Sequence, residues 1–379
     1  MPLQDFINSL AAGDALTDMQ VRDAVAELLR EEVAAEVKAD FLSALARKGE
    51  TIEEIIAFAS ILRDRAVPVP LDAQTRAREI LDVVGTGGDK LNTFNISSTA
   101  ALLCAAAGVT VAKHGNRAAT SASGSADVLE ALGIPLNLSP ADAATALRER
   151  GFAFFFAPNY HPSFKHIAPA RKLCAARGQR TIFNFLGPLL NPVRPTAMLL
   201  GVPRPELCEP IARVLQTLGV HRAMVVCGEV PLEKAESGKR KAEIINAASQ
   251  IAANSNQTSQ PIAHLDEIST LGETTVAEFY QERGFTVSKF NPENFPLQPA
   301  VLADLVGGDK LTNAKTARRI LHGDERGPKR DAVLLNAAAA LFVAGACKSL
   351  VEGWELASRL IDEGNAAKKL AQLTERVER

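Results

Sequence analysis

From Ile80 onward the chain alternates short apolar runs with longer helical stretches. Ile80–Val84 precedes 95–107, and Val109–Lys113 precedes 124–132 and 140–150; Phe152–Ala157, Ala197–Val202 with 205–218, and Ala223–Cys227 follow. Runs this short and this apolar fit strands buried on both faces of one sheet, each joined to the next by a helix that returns the chain in the same direction. The expected fold class is α/β, a mainly parallel central sheet flanked by helices. In such sheets ligands gather beyond the carboxyl ends of the strands, so the loops after these runs are the places to look for chemistry.

The first 70 residues have another texture and predict a small N-terminal all-helical domain. Thr17-Asp18-Met19-Gln20 and Thr51-Ile52-Glu53-Glu54 are capping boxes, and Val21, Val25 and Leu28, then Ile55, Phe58, Ile61 and Leu62, follow at helical spacing. Val67-Pro68-Val69-Pro70 ends the pattern as a stiff linker. The expected domains are 1–70, joined by helices from about 171–195, and 71–379, with a surface insertion at 229–263. Within that insertion 233–241 is charged, 252–260 is rich in Ser, Asn and Gln, and one helix is expected at 238–252.

Composition narrows the function. Hydrophobic residues make up 47% and charged residues 23%, a globular balance. The formal charge of −2 argues against nucleic acid as the main ligand. Five scattered cysteines without a C-x-x-C pair give neither a disulfide framework nor a zinc site. No apolar run is long enough to span a bilayer, and the N-terminus does not read as a signal peptide, so no membrane is expected and the cytoplasm is the expected setting.

Two loops carry the chemistry. Gly85-Thr86-Gly87-Gly88-Asp89 lies between a strand and a helix, where glycines let a phosphate approach the backbone and helix N–H groups point at it. A tight turn without a ligand is the plain alternative, and the spacing matches neither a P-loop nor a dinucleotide fingerprint. Thr93-Phe94-Asn95-Ile96-Ser97-Ser98-Thr99 then places five polar side chains at the helix start, more than capping requires. A second loop, Lys113-His114-Gly115-Asn116-Arg117 with the small residues up to Ser125, precedes a second helix. Either loop alone fits a solvated turn; together, after adjacent strands, they fit a ligand with several phosphates.

The strings GTGGDKLNTFNISS, KHGNRAATSASGSADVLEALG, HPSFKHIAPARK and RTIFNFLGPLLNP closely resemble the anthranilate phosphoribosyltransferase family, in order and over most of the chain. The resemblance implies a homodimeric enzyme of tryptophan biosynthesis. It would transfer ribose 5-phosphate from phosphoribosyl pyrophosphate to the amine of anthranilate, using Mg2+, at a hinge between a helical and an α/β domain. It assigns Gly85, Gly88, Asp89, Thr93, Asn95, Ile96, Ser97, Ser98 and Ser125 to phosphoribosyl pyrophosphate. It adds Lys113, His114, Gly115, Asn116, Arg117, Ala118, Ala119, Thr120 and Ser121 to that donor site. Gly85, Asn116 and Arg171 are matched to anthranilate, and Ser97, Asp266 and Glu267 to the metal. No catalytic residue follows from the match, and a structural role for His114 and His161 competes with a catalytic one.

The chain departs from the family's pattern in three places: Ala122 replaces a frequent basic residue, Lys172–Gln179 is longer than usual, and the 229–263 insertion precedes Asp266. The second of these falls beside the expected acceptor site. The competing readings are a pyrimidine nucleoside phosphorylase, which shares the architecture but lacks the KHGN block, and a non-catalytic nucleic-acid-binding relative.

Overall fold

The computed structural model describes residues 2–118, 122–232, 261–281 and 283–375. Four helices open the chain: α1 (Leu3–Ala11), α2 (Asp18–Leu29), α3 (Ala35–Lys48) and α4 (Ile52–Asp64). Both expected capping boxes form. Thr17 N donates to Gln20 Oε1 at 2.9 Å and Thr51 N to Glu54 Oε2 at 2.8 Å, while each threonine hydroxyl accepts in return. The apolar positions read at helical spacing in α2 and α4 are buried.

A short helix, α5 (Ala73–Arg76), leads to the alternating part. In order come β1 (Ile80–Gly85), α6 (Ile96–Ala106), β2 (Thr110–Gly115), α7 (Ser125–Leu132), α8 (Pro140–Arg150) and β3 (Phe152–Phe156). Then α9 (Ala157–Tyr160), α10 (Ala168–Ala176) and α11 (Phe183–Leu189) cross back to the N-terminal helices before β4 (Ala197–Gly201), α12 (Cys208–Thr217) and β5 (Arg222–Pro231). These five strands run parallel in the order β3-β2-β1-β4-β5.

Three antiparallel strands extend the sheet beyond what the alternation foretold: β6 (Ile262–Leu265), β7 (Thr274–Tyr280) and β8 (Arg283–Phe290). Most described side chains of β8 are exposed, as expected of an edge strand, so it carries little apolar pattern to read. The ends of the expected insertion also belong to the sheet. Glu229, Val230 and Pro231 pair with His264, Ala263 and Ile262, because β5 continues past its parallel partners and finds an antiparallel one. Residues 233–260, with the expected helix at 238–252, lie outside the described residues.

The chain closes with α13 (Leu302–Leu305), α14 (Lys310–His322), α15 (Pro328–Val343), α16 (Leu350–Asp362) and α17 (Asn365–Thr374). Alternate residues of β4 show how the layers are shared. Ala197 and Leu199 pack with α6, α7 and the C-terminal helices. Met198 and Leu200 pack in one continuous apolar cluster with α1–α4, α10, α11 and α12. The small helical domain therefore builds its core on one face of the α/β sheet. No helix among the described residues is long and apolar enough to cross a membrane.

Candidate active site

At the carboxyl ends of β1 and β4, two glycines make room for a carboxylate segment. A Cβ on Gly85 would stand 2.3 Å from Asp266 Oδ2, and one on Gly201 only 1.6 Å from Asp266 O. Beyond Gly85 the loop turns through Gly87 and Gly88 with φ of 71° and 88°, a region that favours glycine. Gly87 N donates to Asp266 Oδ2 at 2.6 Å. Its neighbour Glu267 is buried and accepts from Ser97 N at 2.9 Å. Glu267 thus takes up one N–H of the first turn of α6, while Asn95, the residue in the capping position, makes no side-chain cap. Burial, with Asp89 and Glu267 nearby, pushes the Asp266 carboxyl well above the usual range. Glu267 is pushed up to about 7 by burial, against the opposing pull of the Ser97 N–H and Lys113.

Lys113 is buried at the end of β2, with Nζ donating to Val83 O at 2.6 Å. Burial lowers its pKa; Asp82 and Glu267 oppose the shift. Asp82, fully buried on β1, is pushed up to about 6 by burial and accepts from Asn191 Nδ2 at 2.9 Å. The same amide nitrogen donates to Ala112 O at 2.7 Å, stitching β1 to β2 from the segment that follows α11. Beyond β2, Asn116 is exposed. Arg117 turns its guanidinium to α7, pairing with Asp127 at 2.9 Å and Glu130 at 2.8 Å. Ser125 Oγ donates to Asn116 O at 3.4 Å. Ala119, Thr120 and Ser121 lie outside the described residues.

The two loops are tied together. Asn95 Nδ2 donates to Ser123 O at 3.4 Å, and Asn95 Oδ1 accepts from the buried Asn313 of α14 at 3.0 Å. Thr93 bridges to Val306, which holds the polar stretch against the segment before α14. Ile96 is buried in the core. Ser98 Oγ is buried with no hydrogen-bond partner among the described residues, a donor and acceptor left at the helix start. His114 and His161 are both buried, with ring centroids 5.8 Å apart. His161 is hydrogen-bonded to Leu190 O through Nε2 and stacks on Phe164, a packing role.

On the side of the helical domain, Arg171 is exposed on α10 with its guanidinium carbon 5.6 Å from the centre of the Phe183 ring. Arg180 crosses to the glycine loop, where Nη2 donates to Gly88 O at 3.3 Å. The residues expected at the donor site on β1, α6 and β2 and the pair Asp266–Glu267 thus converge, and Arg171 stands on α10. Sequence reasoning missed the amides that hold this arrangement: Asn191, Asn313 and Asn336. Asn336 Oδ1 accepts from Ile268 N and its Nδ2 donates to Ile268 O, both at 3.0 Å, directly after the carboxylate pair. A lone Asn in the apolar stretch Val333–Leu341 is a readable signal, since a buried amide there needs partners.

Among the described residues no group of three His, Cys, Asp or Glu side chains is placed to hold a metal ion. Two crowded carboxylates beside the Ser97 hydroxyl offer oxygens instead. They suit a hard cation that completes its shell with substrate phosphates and water.

Comparison with known proteins agrees with this geometry. Residues 4–66 match the model described as "Glycosyl transferase family, helical bundle domain", and 77–264 with 238–367 match "Glycosyl transferase family, a/b domain". The chain is 42% identical over 371 residues to an anthranilate phosphoribosyltransferase of Lacticaseibacillus casei, covering 98% of this chain and 96% of the relative. It is 41% identical over 374 residues to that of Symbiobacterium thermophilum, covering 98% and 97%. Among solved structures it is similar to the Thermus thermophilus anthranilate phosphoribosyltransferase (TM-score 0.80, 37% identity, 99% and 98% covered). The Saccharomyces cerevisiae enzyme in complex with PRPP and Mg is also similar (TM-score 0.77, 25% identity, 98% and 96% covered).

Proposed function

The chain belongs to the anthranilate phosphoribosyltransferase family, and on that premise we propose that it transfers the 5-phosphoribosyl group of phosphoribosyl pyrophosphate to the amine of anthranilate. Pyrophosphate leaves, and the product enters tryptophan biosynthesis. The observation that carries the reading is the seat of Asp266–Glu267 on Gly85 and Gly201, with Glu267 on the Ser97 amide, beside the exposed Gly87 and Gly88 of the glycine loop. A phosphorylase and a nucleic-acid-binding relative lose ground to it, because the chain keeps both the carboxylate pair and the second loop.

Within that reading the backbone N–H groups of Gly88 and Asp89, at the end of the glycine loop, hold the pyrophosphate, and Ser98 Oγ offers it a hydroxyl that has no partner among the described residues. Lys113 supplies positive charge beneath it. Asp266, Glu267 and Ser97 would hold magnesium, whose charge offsets that of the phosphates when it is bound. Arg171 suits the anthranilate carboxylate, and Asn116 is the second residue assigned to the acceptor. The acceptor amine is neutral at pH 7, so these residues chiefly align the substrates and keep water out. We further propose a homodimer joined through the helical domain, a cytoplasmic setting, and a helical domain of residues 1–70 completed by about 171–195. Packing of α3 and α4 in one cluster with α10 and α11 supports the last.

One assay tests the reaction. Anthranilate fluorescence should disappear when enzyme, phosphoribosyl pyrophosphate and magnesium are combined, and persist when any is omitted. Persistent fluorescence in the full mixture, with turnover of thymidine and phosphate instead, would reverse the assignment.

A further inference from the structure

We propose that Asp127 is a positioning residue for the donor site, fixing the backbone that leaves β2 to the first turn of α7. The inference rests on the phosphoribosyl pyrophosphate reading, which places Asn116 to Ala118 at that substrate. As the third residue of α7, an aspartate would ordinarily cap the helix, and Asp127 does accept from Gly124 N at 3.0 Å. The same oxygen, Oδ2, also accepts from Ala118 N at 3.0 Å. The second oxygen, Oδ1, accepts from Arg117 Nη1 at 2.9 Å. One carboxylate therefore holds two residues from beyond β2 as well as its own helix start.

Packing at the same place makes the arrangement specific. A Cβ on Gly124 would lie 2.4 Å from Ala118 N and 2.7 Å from Asn116 O, and one on Gly115 would lie 2.2 Å from Ser125 Oγ. Ala126 N donates to Asn116 O at 3.2 Å. Backbone is thus pressed on backbone with a glycine on each side; Arg117 N donates to Asn116 Oδ1 at 2.8 Å, and Asp127 takes up the Ala118 N–H and so fixes the direction of that amide. Helix capping alone explains the Gly124 contact. It leaves the Ala118 contact and the Arg117 pair unexplained.

Two substitutions separate positioning from capping. Asp127→Ala removes both acceptors. It is expected to raise the KM for phosphoribosyl pyrophosphate about tenfold, with kcat changed less than about threefold. Asp127→Asn keeps one side-chain oxygen for the two N–H groups and is expected to hold that KM within about threefold of wild type. An unchanged KM in Asp127→Ala, or an Asp127→Asn enzyme as impaired as Asp127→Ala, would overturn the proposal. Amide exchange in the wild-type protein judges it without any variant. Ala118 N–H should be protected, and exchange at the rate of a free amide would also overturn it. A wild-type enzyme inactive on anthranilate would refute the function and leave the exchange result standing on its own.

Discussion

His114 shows how a residue in the matched donor block can be set by burial. Its imidazole is buried, and desolvation, reinforced by the neighbouring His161, lowers its pKa to about 3. It is therefore neutral throughout the range in which an anthranilate amine is a nucleophile, and carries no imidazolium proton to give as a general acid. Because the folded value is depressed below the unfolded one, the stability His114 contributes is complete above about pH 6.5 and drains away as pH falls toward 3. Between pH 6.5 and 5 the loss amounts to roughly 2 kcal/mol. Melting temperature should fall over that interval in the wild-type protein, and His114→Leu should flatten the curve. Equal slopes in the two proteins would show that His114 is not the titrating group.

At the scale of the element, the segment from Leu265 to Ser269 is held on three sides. Gly201 at the end of β4 lets the Asp266 backbone lie against it, Gly87 N and Ser97 N grip the two carboxylates, and Asn336 binds Ile268 at both backbone groups. A Cβ at position 201 would meet a backbone oxygen, which cannot swing aside as a side-chain tip could. Gly201→Ala should displace the segment, at a cost of about 1–3 kcal/mol of stability, and lower kcat/KM on the order of a hundredfold. A magnesium titration of activity should show a higher requirement, and wild-type kinetics in this variant would mean that the pair does not need its seat. The two loops were legible in the sequence because glycines, hydroxyls and helix starts are local features. The metal role proposed for Asp266 and Glu267 came from family resemblance alone, since adjacent acids are ordinary on surfaces. The partners of Asn191, Asn313 and Asn336 were hidden because each bonds to a residue far along the chain, 109 positions away for Asn191 and Asp82, and 218 for Asn313 and Asn95.

In the whole molecule, the parallel strands were readable from apolar runs and the N-terminal helices from their caps, but the sharing of the sheet was not. Period and propensity describe one element at a time; they do not say that Met198, Leu200 and Val225 lie in one cluster with Phe41 and Phe58. Two buried cations strengthen the join between the helical domain and the crossing segment. Lys38 Nζ donates to His166 O at 2.9 Å, and Arg63 donates through Nε to Leu189 O. Leaving either side exposed would uncover a sheet face and a buried charge together, so the two halves should not unfold separately. The sequence supplies a clean test, because its one tryptophan, Trp354, lies in the other cluster, among the C-terminal helices. Trp354 fluorescence reports that side of the sheet, while far-ultraviolet circular dichroism also reports the N-terminal helices. In a urea titration the two signals should trace one transition with one midpoint. Loss of ellipticity at lower urea than the fluorescence change would mean that the helical domain melts on its own, and that the sheet face it covers tolerates exposure.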